Sequence, residues 1–364
     1  MVSLQVGAQD EPGPTDRLHA WLSAMPKAEL HLHLDGSLRL ETALELARDR
    51  RPAGVPDPLD AETLRARLVA PPHCRDQAEL LRAFDLPIAL LQDAEALDRA
   101  AAELVEDVAT DGTRYAELRW APTLHLERGL DLADGIAAVT RGAARGARAC
   151  SIEIRLIVVA LRTHSPEVAL DLVRAALTAL PDGVVGFDLA GVERDAPDPQ
   201  RFGAAFALAR EGGLGITCHA GEWGGPAQVR AALAVDPWRI AHGAPAADDP
   251  ELATELRERG ITLDLCPTSN LQAGIGRADA GAPLPRLVRA GVPVTISTDD
   301  RTVSDLTLVR ELGRAVRQLG LTTDELAGCV RHAYRVAFLH HDEALRTALV
   351  NDFEAWLASH PAPA

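Results

Sequence analysis

Four histidines and three carboxylates in this sequence have the types and spacing to do chemistry. His31 and His33 form an H-x-H pair, His219 and Glu222 lie in H-A-G-E, His242 precedes Gly243, and Asp299 adjoins Asp300. On an extended strand, side chains two residues apart point to one face, so His31 and His33 can reach a single metal ion. Three imidazoles plus one carboxylate suit Zn²⁺ or another first-row divalent ion. An open position for water makes such a site catalytic, because the ion lowers the pKa of water to about 7. Glu222, His242 and Asp300 would then stand nearby as proton carriers. The residues alone point to metal-assisted hydrolysis of a small molecule. Singly, each feature has a plainer reading. An H-x-H in an apolar strand can be incidental, a strand-end histidine can be a packed core residue, and Asp299-Asp300 could open a helix. Their joint placement at strand ends is what carries weight.

Those strand ends belong to eight short apolar runs, at 28–34, 114–120, 152–160, 184–190, 215–220, 239–243, 262–266 and 292–297. Several are rich in Val, Ile and Thr, as strands are. Amphipathic segments alternate with them at 93–112, 166–180, 249–260 and 283–291. Asp93 reads as an N-cap, and Gly260 and Gly291 as C-terminal stops. Eight alternations predict parallel strands joined by right-handed crossovers. A doubly wound sheet would need a Gly-rich first turn, and the first strand runs instead into H-L-D-G-S. The reading is therefore a (β/α)8 TIM barrel, whose catalytic groups project from the C-terminal ends of its strands. Such a barrel needs about 250 residues. The surplus falls in an insertion at 36–112, placed as a lid would be, and in extra helices at the C-terminus. Residues 1–16 read as a frayed tail and 17–364 as one barrel domain.

Composition narrows the partners. Lys plus Arg is 37 against 53 for Asp plus Glu, a net charge of −16, which argues against nucleic acid and against an anionic membrane surface. Its plain reading is solubility. No apolar run is long enough to span a membrane, and the N-terminus shows neither a basic nor an apolar signal region. The five cysteines are scattered without a C-x-x-C pair. Together these point to a cytoplasmic protein with small buried thiols. The other eight histidines (His19, His73, His125, His164, His332, His340, His341, His360) read as surface or packing residues. Glu117 and Arg119 read as an ion pair inside the barrel.

Six motifs in order then carry a resemblance: M-P-K-A-E-L-H-L-H-L-D-G-S-L (25–38), D-L-A-G-V-E (188–193), H-A-G-E (219–222), R-I-A-H-G (239–243), L-C-P-T-S-N (265–270) and S-T-D-D (297–300). They resemble the adenosine deaminase family over residues 20 to 350. The resemblance implies one Zn²⁺ per chain, held by His31, His33, His219 and Asp299. Glu222 matches the residue that protonates purine N1, and His242 the one that orients and deprotonates the attacking water. Asp300 matches the carboxylate that contacts N7, and Gly191 the glycine whose backbone N–H faces N3. Asp35 matches the residue that contacts the ribose 5′-hydroxyl, where free-adenine relatives tend to carry Glu. The implied reaction converts adenosine or 2′-deoxyadenosine to inosine or 2′-deoxyinosine plus ammonia, a step of purine salvage. The alternatives are a 5′-modified adenosine such as aminodeoxyfutalosine, free adenine, or a non-catalytic binding protein on the same fold. The zinc class of cytidine and nucleic-acid deaminases is excluded, because its H-x-E…P-C-x-x-C pattern is absent. Ala241, Arg301 and Trp223 depart from the family's usual residues and are expected to affect pocket shape.

Overall fold

The computed structural model describes residues 17–193, 198–275 and 281–363. The tail expected at 1–16 lies outside them. The chain begins with α1 (Arg17–Ala24) and turns into β1 (Lys27–His33). That turn is fastened by Lys27, the sole lysine of the chain, whose buried Nζ donates to the Leu22 and Met25 carbonyls at 2.5 and 2.6 Å. After β1 come α2 (Leu40–Arg50), α3 (Ala61–Leu68), α4 (Gln77–Leu81), α5 (Asp85–Leu90) and α6 (Ala94–Thr110), then β2 (Thr113–Trp120). Strand and helix then alternate through α7 (Leu132–Cys150), β3 (Glu153–Leu161), α8 (Pro166–Thr178), β4 (Val184–Ala190), α9 (Gly203–Glu211), β5 (Gly215–Ala220), α10 (Gly225–Ala232) and β6 (Arg239–His242). α11 (Pro250–Arg259), β7 (Thr262–Leu265), α12 (Pro267–Gln272), α13 (Pro283–Arg289) and β8 (Val294–Ile296) complete the ring. α14 (Leu308–Arg317), α15 (Thr323–Val336) and α16 (Glu343–Ser359) follow.

The eight strands are parallel and lie side by side in chain order, β1 to β8. The ring closes where Leu32 pairs with Asp299: His33 N–H donates to the Asp299 carbonyl at 2.7 Å, and Asp299 N–H to the His31 carbonyl at 3.1 Å. This is the (β/α)8 TIM barrel that the alternation predicts. β4 and β5 keep the bounds read from the sequence, because each starts at a glycine-bounded apolar run. β8 is shorter than 292–297, and beyond it the backbone pairs with β1 at the Asp299 bridge, where φ is a left-handed 66°. The excursion expected at 36–112 also needs dividing. α6 packs against β2 and α7 as an ordinary wall helix, capped by Asp93 onto Ala96 N–H, so the added segment is the stretch before Asp93.

Inside the barrel the side chains form layers, as the fold requires. The floor is Phe338 from the chain after α15. An added Cβ at Gly186 or Gly215 would fall within 2.9 or 2.5 Å of its ring, so these two glycines make room for it. The Arg239 guanidinium covers the same ring at 3.8 Å. Above it, Arg239 donates to Glu117 and to Asp264, and Thr295 also donates to Asp264. Arg119 stands in the next layer, donating to Asp188 at 2.8 Å and to the Leu30 carbonyl at 2.6 Å. Glu117 and Arg119 are both ion-paired and fully buried, but not with each other. Two residues along one strand are about 6.6 Å apart, so each meets a partner from the opposite wall in its own layer.

Candidate active site

The layer above Arg119 opens at the C-terminal ends of the strands, and there the residues singled out by spacing converge. The Nε2 atoms of His31 and His33 lie 3.1 and 3.2 Å from Nε2 of His219. Asp299 Oδ1 stands 3.0 and 3.5 Å from the same atoms of His31 and His33. Ligands about 2.0–2.1 Å from one tetrahedral ion stand about 3.3 Å from each other, so the spacing is that of a shared cation. Ligand atoms of His31, His219, His242 and Asp299 all lie within 4.8 Å of one another. His33 joins them from the cavity side, and His242 Nε2 stands 3.8 Å from Asp299 Oδ2.

The surroundings set protonation to match. Burial pushes His33 down to about 4, and burial with the Arg119 charge pushes His31 well below its ordinary range. Neutral imidazoles are the form that ligates metal. Asp299 stays ionised despite burial, because imidazoles surround it. His219 Nδ1 faces the Asp188 carboxylate at 2.9 Å, which turns the Nε2 lone pair toward a metal. His242 is oriented likewise: Nδ1 faces the Asn270 amide oxygen at 3.1 Å, while Nε2 is buried with no hydrogen-bond partner among the described residues. Both His242 and Asp299 have left-handed backbones, with φ of 65° and 66°, unusual for residues other than glycine. Strain of this kind persists where surrounding structure enforces it, often at functional sites.

Beside this cluster lies a cavity of about 260 Å³. Glu222, Asp300, Gly191 and Asp35 line it, with His33, His219, His242 and Asp299 at its base. Burial, then the charges of Asp299 and Glu193, raises Glu222 to about 8. Asp300 is raised well above the carboxylate range by burial and by Asp299, Asp35 and Glu222. Gly36 explains how Asp300 fits, since an added Cβ there would lie 1.7 Å from its Oδ1. Gly191 has φ 94°, the region glycine tolerates, and an added Cβ would meet nothing nearer than 3.7 Å. Apolar side chains of α4, α5 and the turn between them (Leu80, Leu81, Phe84, Ile88) form the outer wall with Leu124 and Val192.

Every residue marked by the sequence is therefore in or beside this one site. The reading missed Asp188, Asn270, Glu193 and His125. The first three lie inside quoted motifs but carried no role there. His125 is fully buried, donating from Nδ1 to the Leu91 carbonyl at 2.9 Å, with Nε2 3.8 Å from Asp35 Oδ2. It and His33 hold the buried Asp35 carboxyl below its ordinary range. Ala241, Arg301 and Trp223, expected to affect the pocket, are absent from its lining. Arg301 turns away to Asp111 and Glu29, and Trp223 packs with Phe84 against Ala70, Cys74, Leu80, Ala83 and Val303.

A parallel (β/α)8 barrel with a His/Asp cluster at its C-terminal face defines an amidohydrolase-type enzyme. The sequence profile of the adenosine deaminase family matches residues 26–355. An adenosine deaminase of Enterococcus faecalis is 38% identical over 319 residues, covering 88% of this chain and 94% of that protein. Among solved structures, an adenine deaminase of Arthrobacter aurescens superposes with a TM-score of 0.83 at 26% identity, covering 92% and 100% of the two chains. An N6-mAMP deaminase of Arabidopsis gives 0.80 at 32%, covering 92% and 99%. The chain belongs to the adenosine deaminase family and is a hydrolytic deaminase acting on C–N bonds. Among the described residues no helix is long and apolar enough to cross a membrane.

Proposed function

We propose that this protein deaminates adenosine and 2′-deoxyadenosine, giving the 6-oxopurine nucleoside and ammonia. One observation carries the reading: three groups able to donate a proton or hydrogen bond surround the cavity beside the His/Asp cluster. Adenine N3 and N7 only accept hydrogen bonds, and N1 is likewise a lone-pair acceptor. Glu222, raised to about 8, carries a proton at neutral pH and gives it to N1, making C6 electrophilic. Asp300, also protonated, donates to N7, and the Gly191 backbone N–H to N3. His242, its Nδ1 hydrogen fixed on Asn270, has Nε2 free to accept a proton from water as oxygen bonds to C6. The C6–N6 bond then breaks, the amine leaving as ammonia after taking up that proton, and the C6 hydroxyl proton passes to the Glu222 carboxylate as the C6=O bond forms. His31, His33, His219 and Asp299 would hold one Zn²⁺, which when bound supplies Lewis-acid activation of water.

The choice of a nucleoside rests on Asp35 and on charge. Asp35 Oδ1 is buried with no hydrogen-bond partner among the described residues, an acceptor suited to a ribose hydroxyl. Neither lysine nor arginine is among the described cavity-lining residues, whereas Asp35 and Asp85 are. A 5′-phosphate would meet like charges there. The apolar wall of Leu80, Leu81, Phe84 and Ile88 favours, as a second reading, an adenosine with a neutral 5′ substituent. A panel of adenosine, 2′-deoxyadenosine, adenine and 5′-modified adenosines, followed by ultraviolet absorbance with ammonia assayed in parallel, tests this. Preference for free adenine, or turnover without ammonia, would refute it.

A further inference from the structure

Glu193 follows β4 with 1% of its surface exposed, and its carboxylate has no Lys, Arg or His within ion-pair distance among the described residues. Three consecutive backbone amides hold it instead. Glu222 N–H donates to Oε1 at 3.2 Å, and Trp223 and Gly224 N–H donate to Oε2 at 3.0 and 2.6 Å. Successive amides converging on one anion form a nest, here closed around a side chain of the same protein. Gly221, with φ 78°, starts the turn, and a Cβ at Gly224 would stand 3.0 Å from Glu193 Oε2. The backbone of Glu193 is itself held by the inserted segment. Its N–H donates to Gln77 Oε1 at 3.1 Å, and Gln77 Nε2 donates to the Gly191 carbonyl at 3.4 Å. On its other side the same loop is gripped through Trp223, packed among Ala70, Cys74, Leu80 and Ala83 of the insertion.

We propose that Glu193 is the positioning residue for Glu222, fixing the loop after β5 onto the β4 exit and, through Gln77, onto the inserted helices. The reasoning rests on the proposed role of Glu222 as proton donor. Nothing else among the described hydrogen bonds ties the amides of residues 222–224 to the barrel. The Glu193 charge also adds to the field that keeps Glu222 protonated. Displacement of a reacting group by about 1 Å can cost about 100-fold in rate.

Two readouts test this in the metal-loaded protein. Glu193→Ala should lower kcat about 100-fold with KM within about threefold, and Glu193→Gln, keeping one acceptor oxygen, should recover about tenfold of that loss. In a Glu222→Gln background, Glu193→Ala should change kcat less than about threefold, because its effect passes through Glu222. Hydrogen exchange in the segment 221–224 should quicken at least about tenfold in Glu193→Ala, while β1 stays protected. Should that variant fail to fold, Glu193→Gln carries both readouts with smaller shifts. Unchanged exchange at 221–224, or losses that multiply with Glu222→Gln, would overturn the proposal. Wild-type protein inert toward every 6-aminopurine would overturn the functional reading instead, while exchange still decides whether Glu193 anchors the loop.

Discussion

Replacing Glu222 by glutamine should separate proton donation from binding. The carboxyl is raised to about 8, first by burial and then by Asp299 and Glu193. At pH 7 about nine-tenths of the enzyme then carries the proton that N1 requires. Glutamine keeps the shape and can donate a hydrogen bond to N1, but it cannot transfer a proton. General acid catalysis contributes about 10²- to 10⁴-fold, so kcat should fall by that factor, about 3–5 kcal/mol in barrier, with little change in KM. The sign of the pH dependence follows from the same shift. A group active when protonated gives a level rate below its pKa and a tenfold fall per pH unit above it. The wild type should therefore lose activity as pH rises through about 8, and Glu222→Gln should lack that alkaline limb. Stopped assays of ammonia release across pH 6–9 would measure both. A loss under tenfold, or the same alkaline limb in the variant, would refute the assignment.

Three further outcomes follow from the geometry. Asp188→Asn removes the carboxylate facing His219 Nδ1 at 2.9 Å, and zinc affinity should weaken about 10- to 100-fold in competition with a chromogenic chelator. Gly36→Ala places a Cβ where Asp300 Oδ1 now sits, so kcat should fall at least about tenfold while bound metal stays stoichiometric, as read by elemental analysis. Phe338→Ala empties the barrel floor beneath Arg239, and urea unfolding should show a loss of about 3–5 kcal/mol with activity retained in the folded fraction.

The barrel was legible because apolar runs and helical segments alternate eight times, and the period of each is a local property of the chain. His31 and His33 were legible for the same reason, since two-residue spacing fixes a common face before any tertiary contact exists. The partners across the barrel were not. Asp188 meets His219 and Arg119 only once the strands curl, and Glu117 finds Arg239 from the far wall rather than Arg119 two residues away. His125 sits 90 residues after Asp35, and nothing in its local sequence marks that meeting. Glu193 acts through backbone amides, whose direction no side-chain motif records. Trp223 looked like a pocket residue from its place after Glu222, but its backbone turns the ring into the inserted cluster.

The claim that this site takes an uncharged nucleoside is tested most directly by the ratio of kcat/KM for adenosine to that for its 5′-monophosphate. A phosphate about 6 Å from an ionised carboxylate meets about 3 kcal/mol of repulsion per pair of charges at an effective dielectric of about 20. The account predicts a ratio above about 100 in favour of adenosine. Equal turnover, or a preference for the monophosphate, would contradict it.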